Sequence, residues 1–276
     1  MQAGVRVSFY GVRGSTPCHC STMNRFGGNT SCVVIEREGE APIVCDAGTG
    51  LRFFGLDHGA DSFDGTLLIS HLHWDHVQGL PFFPQMLSGD SNATIYGPPE
   101  DNMSFAEALC DFVRPPYFPI ALRDLPGDLQ LVDLDNESTM VGSAKVTARP
   151  VPHNGNTNGY RIEWDDFSMA YIPDHQQPDD LSEIAAGVQE LAAGVDLLIH
   201  DSQFTDELLA KRSDWGHCTH EYAVRVAEAV GASRLALFHH DPLHDDDQLD
   251  GLVAGARSLG ADLEIFGAAE GLKLSF

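Results

Sequence analysis

Four of six consecutive positions carry side chains that bind metals: the run His71-Leu72-His73-Trp74-Asp75-His76. Imidazole nitrogens and carboxylate oxygens are the donors that zinc and similar divalent ions take. The preceding Thr66-Leu67-Leu68-Ile69-Ser70 is an apolar strand that runs directly into the cluster. Successive side chains of an extended chain alternate, so His71 and His73 face one side. Asp75 and His76 then turn toward a neighbouring position, in a loop leading to a helix expected near Val77. Two ligand sets in one loop imply two ions, about 3.5 to 4 Å apart as in two-metal hydrolases.

The elements that must hold this cluster can be read from periodicity. Apolar or β-branched runs of strand length lie at 5–10, 31–36, 42–45 and 66–70, separated by Gly-rich turns. Positions 101–113 have helical spacing through Phe105, Leu109 and Phe112, ending before Pro115-Pro116. Further strands are expected at 144–150, 159–164, 168–172, 196–200, 234–238 and 262–265, with helices near 179–191, 221–230 and 247–259. Such a mixture suits two sheets packed face to face and covered outside by helices. No linker or low-complexity segment interrupts the chain, so residues 1–276 are expected to form one domain.

These motifs resemble the metallo-β-lactamase superfamily, and within it the phosphodiesterase branch that includes ribonuclease Z and small cyclic-phosphodiester hydrolases. Val44-Cys45-Asp46-Ala47-Gly48-Thr49-Gly50 looks like the strand, Asp and Gly-rich turn that precede the family's His cluster. Pro152-His153-Asn154 is similar to its third-His motif, Tyr171-Ile172-Pro173-Asp174 to the bridging-Asp motif, and Leu237-Phe238-His239 to the final-His motif. The resemblance implies an α/β fold, a four-layer αββα sandwich. It also implies that His71, His73 and His153 bind one metal, that Asp75, His76 and His239 bind the other, and that Asp174 bridges them. Zn2+ is the expected ion, with Mn2+ or Fe2+ as alternatives. His175 and His240 compete for register with their neighbours Asp174 and His239.

Leu198-Ile199-His200-Asp201-Ser202-Gln203-Phe204 and Trp215-Gly216-His217-Cys218-Thr219-His220-Glu221 are similar to the paired motifs of ribonuclease Z, in which an acidic residue orients a histidine that works on the scissile phosphate. Asp201 stands where Glu is usual there, one methylene shorter. A carboxylate holding His217 would fix its tautomer and raise its basicity. The blander reading makes this stretch the start of a helix with Thr219 as N-cap, and His220 competes for the same role. His217 and Asp201, with the ligand Asp75, are the expected catalytic groups.

Substrate contacts are less marked. The loop Arg25 to Ser31 offers small polar groups, with Asn29 the chosen contact, although an ordinary hairpin turn is the simpler reading. His240 is a second expected contact, and Arg13 and Arg52 are candidates for phosphate. His19, His58 and His244 read as solvated loop residues, and Asp46 as a buried partner of a ligand loop. Cys18-His19-Cys20 lacks a fourth ligand at a suitable spacing, and the six cysteines are expected as free thiols.

Composition narrows the substrate. A net charge of −25 repels polyanions over the surface as a whole, while bound divalent ions can reverse the field locally for a small anion. The expected reaction is hydrolysis of a small or cyclic phosphodiester by a metal-activated water. A tRNA 3′-processing ribonuclease is the first alternative. Such enzymes commonly insert a basic arm between the third His and the bridging Asp, but here only 21 positions separate His153 from Asp174, with Arg161 set against Glu163, Asp165 and Asp166. Lactam, lactone or thioester hydrolysis is a second alternative, since the same metals polarise a carbonyl. A non-enzymatic nucleotide-binding module is a third. No apolar run reaches the length of a membrane helix and Met1 to Tyr10 has no long apolar core, so a cytoplasmic protein is expected, with a homodimer suggested by the resemblance.

Overall fold

The computed structural model describes residues 4–60, 62–260 and 262–276, so Met1, Gln2 and Ala3 of the N-terminal stretch lie outside it. The first sheet is built from β1 (Val5–Gly11), β2 (Cys32–Arg37), β3 (Ile43–Cys45), β4 (Asp64–Leu68), β5 (Asn92–Gly97) and β6 (Asp128–Asp133). The second holds β7 (Ser138–Val141), β8 (Ala144–Pro150), β9 (Asn158–Trp164), β10 (Phe167–Ile172), β11 (Leu197–Asp201), β12 (Arg234–Phe238) and β13 (Glu264–Gly267). The chain then returns to the first sheet as β14 (Lys273–Ser275), giving the orders β14-β1-β2-β3-β4-β5-β6 and β13-β12-β11-β10-β9-β8-β7. Each sheet is antiparallel on one side and parallel on the other, with β3 to β6 and β10 to β13 running parallel.

Side-chain alternation along the strands accounts for the layers. Met169 and Tyr171 of β10 enter the core between the sheets with Phe9, Ile35, Ile162 and Phe238. Ala170 and Ile172 point the other way, onto α4 (Ala186–Ala192), α6 (His220–Val230) and α7 (Asp246–Leu259). On the opposite face, Leu67 and Ile95 pack under α1 (Gly50–His58) and α3 (Phe105–Phe112). The result is the expected αββα sandwich.

Helix ends follow local chemistry. Ser104 and Glu107 form a capping box at α3, so that helix starts four residues later than its periodicity predicts. Thr219 caps α6, which stops at Gly231 in the left-handed region, and Asp245 with Gln248 caps α7. The expected helix at 179–191 shrinks to α4, because residues 179–185 lie in an irregular stretch. Helix α1, the single-turn α5 (Asp206–Leu209), and strands β5, β6, β7 and β14 were not expected. The cap of α1 makes no side-chain hydrogen bond, and its Gly50 and Gly55 conceal it in the sequence. All six cysteines are free thiols, and no helix among the described residues is long and apolar enough to cross a membrane.

Candidate metal centre

The expected ligands converge at one edge of the sandwich. His71 and His73 follow β4, His153 follows β8, Asp174 follows β10 and His239 follows β12. Asp75 and His76 do not lie in a loop as expected. They sit on α2 (Trp74–Val77), a single turn that begins inside the motif and swings both side chains past His71. Because β8 and β10 each run antiparallel to β9, they share a direction and deliver His153 and Asp174 to the same rim.

Two groups of donors form around Asp174. Its Oδ1 lies 3.9 Å from His71 Nε2 and 3.7 Å from His153 Nε2, and those rings meet His73 Nδ1 at 2.8 and 3.3 Å. Its Oδ2 lies 3.2 Å from His76 Nε2 and 3.5 Å from His239 Nε2, and both rings also approach Asp75 Oδ2, at 3.2 and 3.0 Å. The carboxylate therefore turns one oxygen to each group.

Electrostatics favours the ligating forms of His71, His73, His153, Asp75 and Asp174, whereas His76 and His239 sit among carboxylates that favour their protonated forms until a cation takes the proton's place. Burial holds the imidazoles of His71, His73 and His153 below the usual histidine range, so they are neutral with free lone pairs. Burial acts in the same sense on His76, but the carboxylates of Asp75, Asp174 and Asp46 outweigh it and hold that ring well above the usual range. Burial likewise opposes ionisation of Asp75 and Asp174, and the surrounding histidines outweigh it, leaving both carboxyls well below theirs. His76 Nε2 and Asp174 Oδ2 are buried without a hydrogen-bond partner. An unpartnered carboxylate oxygen and an imidazole nitrogen whose proton a cation can replace, beside further nitrogen lone pairs, fit cations between them, and this donor set suits divalent metals.

A surrounding shell fixes each ring. Asp46, fully buried, accepts from His76 Nδ1 at 2.7 Å, from the Ser70 amide and hydroxyl, and from Tyr171 Oη at 2.8 Å. His71 Nδ1 meets Ser70 Oγ at 3.0 Å, and His153 Nδ1–H donates to the Gly216 carbonyl at 2.6 Å. His239 Nδ1–H donates to Gln203 Oε1 at 2.8 Å, and Gln203 Nε2 reaches Ser15 Oγ while the Ser15 amide donates to Asp75. Such partners orient ligands and raise their basicity. Gly216 is required here, since its φ is +93° and a Cβ would collide with His153 Nδ1. Ser15, Asp46 and His239 themselves sit at φ near +60°, clustering backbone strain at the centre. Sequence reasoning passed over Ser15 and Gln203, although the second lies only two residues past Asp201.

His217 lies beside the cluster, its Nδ1–H donating to Asp201 Oδ2 at 2.9 Å and its ring stacked at 5.1 Å on His239. A cavity of about 410 Å³ is lined by His73, Asp75, Asp174, His217 and His239, with Trp74 and Trp215 at its mouth. His220 stands on α6 and does not line it.

The two expected substrate contacts also lie elsewhere. Asn29 gives its backbone and side-chain N–H groups to Glu270, and His240 is buried with Nε2–H on the Ala268 carbonyl. Arg13 is fully buried, with its guanidinium on the carbonyls of Gly27, Asp241 and His244, which makes it a brace between chain segments. His244 is buried with it, and His58 packs against Phe54 and Phe63, so of the three presumed solvated histidines only His19 is exposed.

A sandwich with histidines and carboxylates converging at one rim defines a class, the metal-dependent hydrolases with an αββα fold. The family model described as "Beta-lactamase superfamily domain" matches residues 42–240, and the chain belongs to that superfamily. It is 28% identical to the ribonuclease Z of Halorubrum lacusprofundi over 85% of this chain and 86% of that one. Its fold is similar to the metallo-β-lactamase fold protein YhfI from Bacillus subtilis, with TM-score 0.74, 19% identity and complete coverage of both chains. It is likewise similar to a diphosphatase of the PhnP family, with TM-score 0.73, 20% identity and coverage of 99% and 98%.

Proposed function

We propose that this protein is a phosphodiesterase that holds two divalent ions, zinc by preference, and hydrolyses a small or cyclic phosphodiester. The observation that carries this reading is His217, buried and held on Asp201 beside the donor cluster, facing the same cavity. His71, His73, His153 and Asp174 would hold one ion, and Asp75, His76, His239 and Asp174 the other. Bound there, the ions would neutralise charge on the non-bridging phosphate oxygens and acidify a water. Asp201 keeps the Nδ1 proton of His217 in place, so Nε2 is the nitrogen that exchanges a proton. Protonated at Nε2 and oriented by Asp201, His217 delivers that proton to the departing alkoxide. Trp74 and Trp215 add exposed apolar walls to the cavity beside the reacting group.

A small substrate agrees with the connection between β9 and β10. Where a basic arm would be inserted, Asp165 and Asp166 make a tight hairpin turn and Arg161 is bound to Glu163 and to carbonyls near α4. The second reading, tRNA 3′ processing, is favoured by the names of the sequence relatives, which include ribonucleases Z and BN.

The test sets bis(p-nitrophenyl) phosphate beside a precursor tRNA and lactam and thioester reporters, using zinc- or manganese-loaded protein with His217→Ala as control. Metal-dependent turnover of the diester that falls in the variant supports the proposal. Cleavage of tRNA at much higher efficiency would transfer it to the second reading, and turnover of acyl reporters alone would overturn both.

A further inference from the structure

Next to the cavity at the histidine cluster lies a larger apolar trough of about 770 Å³, and the two share Leu72 and Trp74. Its walls come from the metal-binding loop, from the 3-10 turn Leu80–Phe82, and from α3 with the segment following it. Phe82, Phe112, Tyr117 and Phe118 line it together with Trp74. Three of these rings are unusually open for aromatic side chains, Trp74 at 72%, Phe82 at 59% and Tyr117 at 75% exposure. Phe82 and Phe118 meet edge to face at 5.8 Å, which sets one wall. The only carboxylate in the lining among the described residues, Asp111, is paired with Arg114, whose guanidinium also lies over the Tyr117 ring at 5.4 Å. An anionic substrate entering from the neighbouring cavity therefore meets no uncompensated negative charge there.

We propose that this trough is a subsite for a planar ring, a nucleobase or an aryl group, carried by the ester substituent next to the reacting phosphorus. The identity of the ligand rests on the phosphodiesterase reading, while the placement rests on Trp74 and Leu72, which wall both cavities. A group attached to a phosphorus at the histidine cluster reaches the trough without leaving the protein surface. Several aromatic faces and edges in one concavity suit a ring better than an alkyl chain, because stacking and edge contacts add to area burial and tolerate any base. A protein partner is the poorer occupant, since a body that covers the trough also covers Trp74 at the mouth of the reaction cavity.

The experiment measures calorimetric binding of adenosine 5′-monophosphate and of ribose 5-phosphate, which share the phosphate and sugar and differ in the base, to zinc-loaded protein. The wild type is expected to bind the nucleotide about tenfold more tightly. Phe82→Ala and Tyr117→Ala should erase that margin, and Leu87→Ala, exposed and outside the trough, should keep it. The substituted side chains are exposed, so the fold is retained, and circular dichroism checks this. Equal affinity of the two ligands for the wild type, or a margin that survives both trough substitutions, overturns the subsite. Light scattering on the same samples supplies the competing outcome: a dimer that dissociates in the trough variants while the margin stays intact assigns the face to a second copy and overturns it too. A ring margin lost as expected in a protein that hydrolyses no phosphodiester supports the subsite and sinks the phosphodiesterase reading, so the two fail separately.

Discussion

Asp201 Oδ2 accepts the Nδ1–H of His217 at 2.9 Å, and the same carboxylate is pinned by the amides of His175 at 3.0 Å and Gln203 at 2.8 Å. The shorter side chain is thus held by backbone on both sides, and the imidazole is oriented without freedom at either partner. Removing the ring or its orienting charge should act on chemistry and spare metal binding. Asp201→Asn and His217→Ala are each expected to lower kcat about 10²–10⁴-fold with metal content unchanged. The double variant should be no worse than the more impaired single one, because the two act as a unit. Steady-state kinetics with metal analysis checks this, and additive losses would separate the residues.

Asp174 offers one oxygen to each donor group, so its loss should empty both. Asp174→Ala is expected to reduce bound metal well below the wild-type stoichiometry by elemental analysis. Zinc should raise the melting temperature of metal-free wild type by mass action and leave the variant unmoved. Full metal content in the variant would refute the bridging role.

Four donors converge on Asp46, and while the Ser70 and Tyr171 hydroxyls can rotate to accept, the Ser70 amide on Oδ1 and the His76 Nδ1–H on Oδ2 cannot, so each oxygen faces one fixed donor. Asp46→Asn presents an amide N–H₂ to that ring of donors. The backbone at φ +60° does not add to the cost, since Asn also adopts the left-handed region. The expected loss is about 2–4 kcal/mol in denaturant unfolding, with metal affinity lowered about 10–100-fold. Wild-type stability in the variant would show that Asp46 carries no charge-assisted network.

His200 gives a pH signature of stability outside the proposed ligand set. Its Nδ1–H donates to the Asp201 carbonyl at 2.8 Å and its Nε2 accepts from His175 Nδ1–H at 3.0 Å, while burial pushes its pKa below the usual histidine value. The folded state thus binds this proton less readily than the unfolded one. Its contribution is fully present above about pH 6.5 and is lost as pH falls below that, by at most about 1.4 kcal/mol per pH unit. His200→Gln should therefore lose less stability between pH 7 and pH 5 than the wild type in urea titrations. Parallel losses in the two proteins would rule this out.

How much could be read without the fold differs from residue to residue. The metal-binding character of residues 71–76 needs only donor chemistry and a strand's alternation, both local. The caps at Thr219, and at Asp245 with Gln248, are equally local, as is the alternation of β10. Adjacent donors are a different matter. His175 beside Asp174 and His240 beside His239 have the right chemistry, and the structure turns the first toward His200 and the second toward Ala268. Spacing cannot make that choice, because it depends on which face of the strand end meets the cavity.

Long-range pairing decided the rest. Helix α1 carries two glycines and becomes a helix against the 3-10 turns at residues 80–87, where Gly55 abuts Gln85 and Pro84. The half-exposed β6 is ordered by the parallel edge of β5. Arg13, which from its type alone reads as a phosphate contact, is buried with Nε and Nη1 on the carbonyls of residues 27, 241 and 244. The sequence by itself determined the donor types, the strand that leads into them and the αββα pattern, since those follow from neighbours in the chain. Only the tertiary structure decided which donors share a cavity and what holds them, because a buried polar atom must take its partner from whatever packing brings near, as Asp46 takes Tyr171 from 125 positions away.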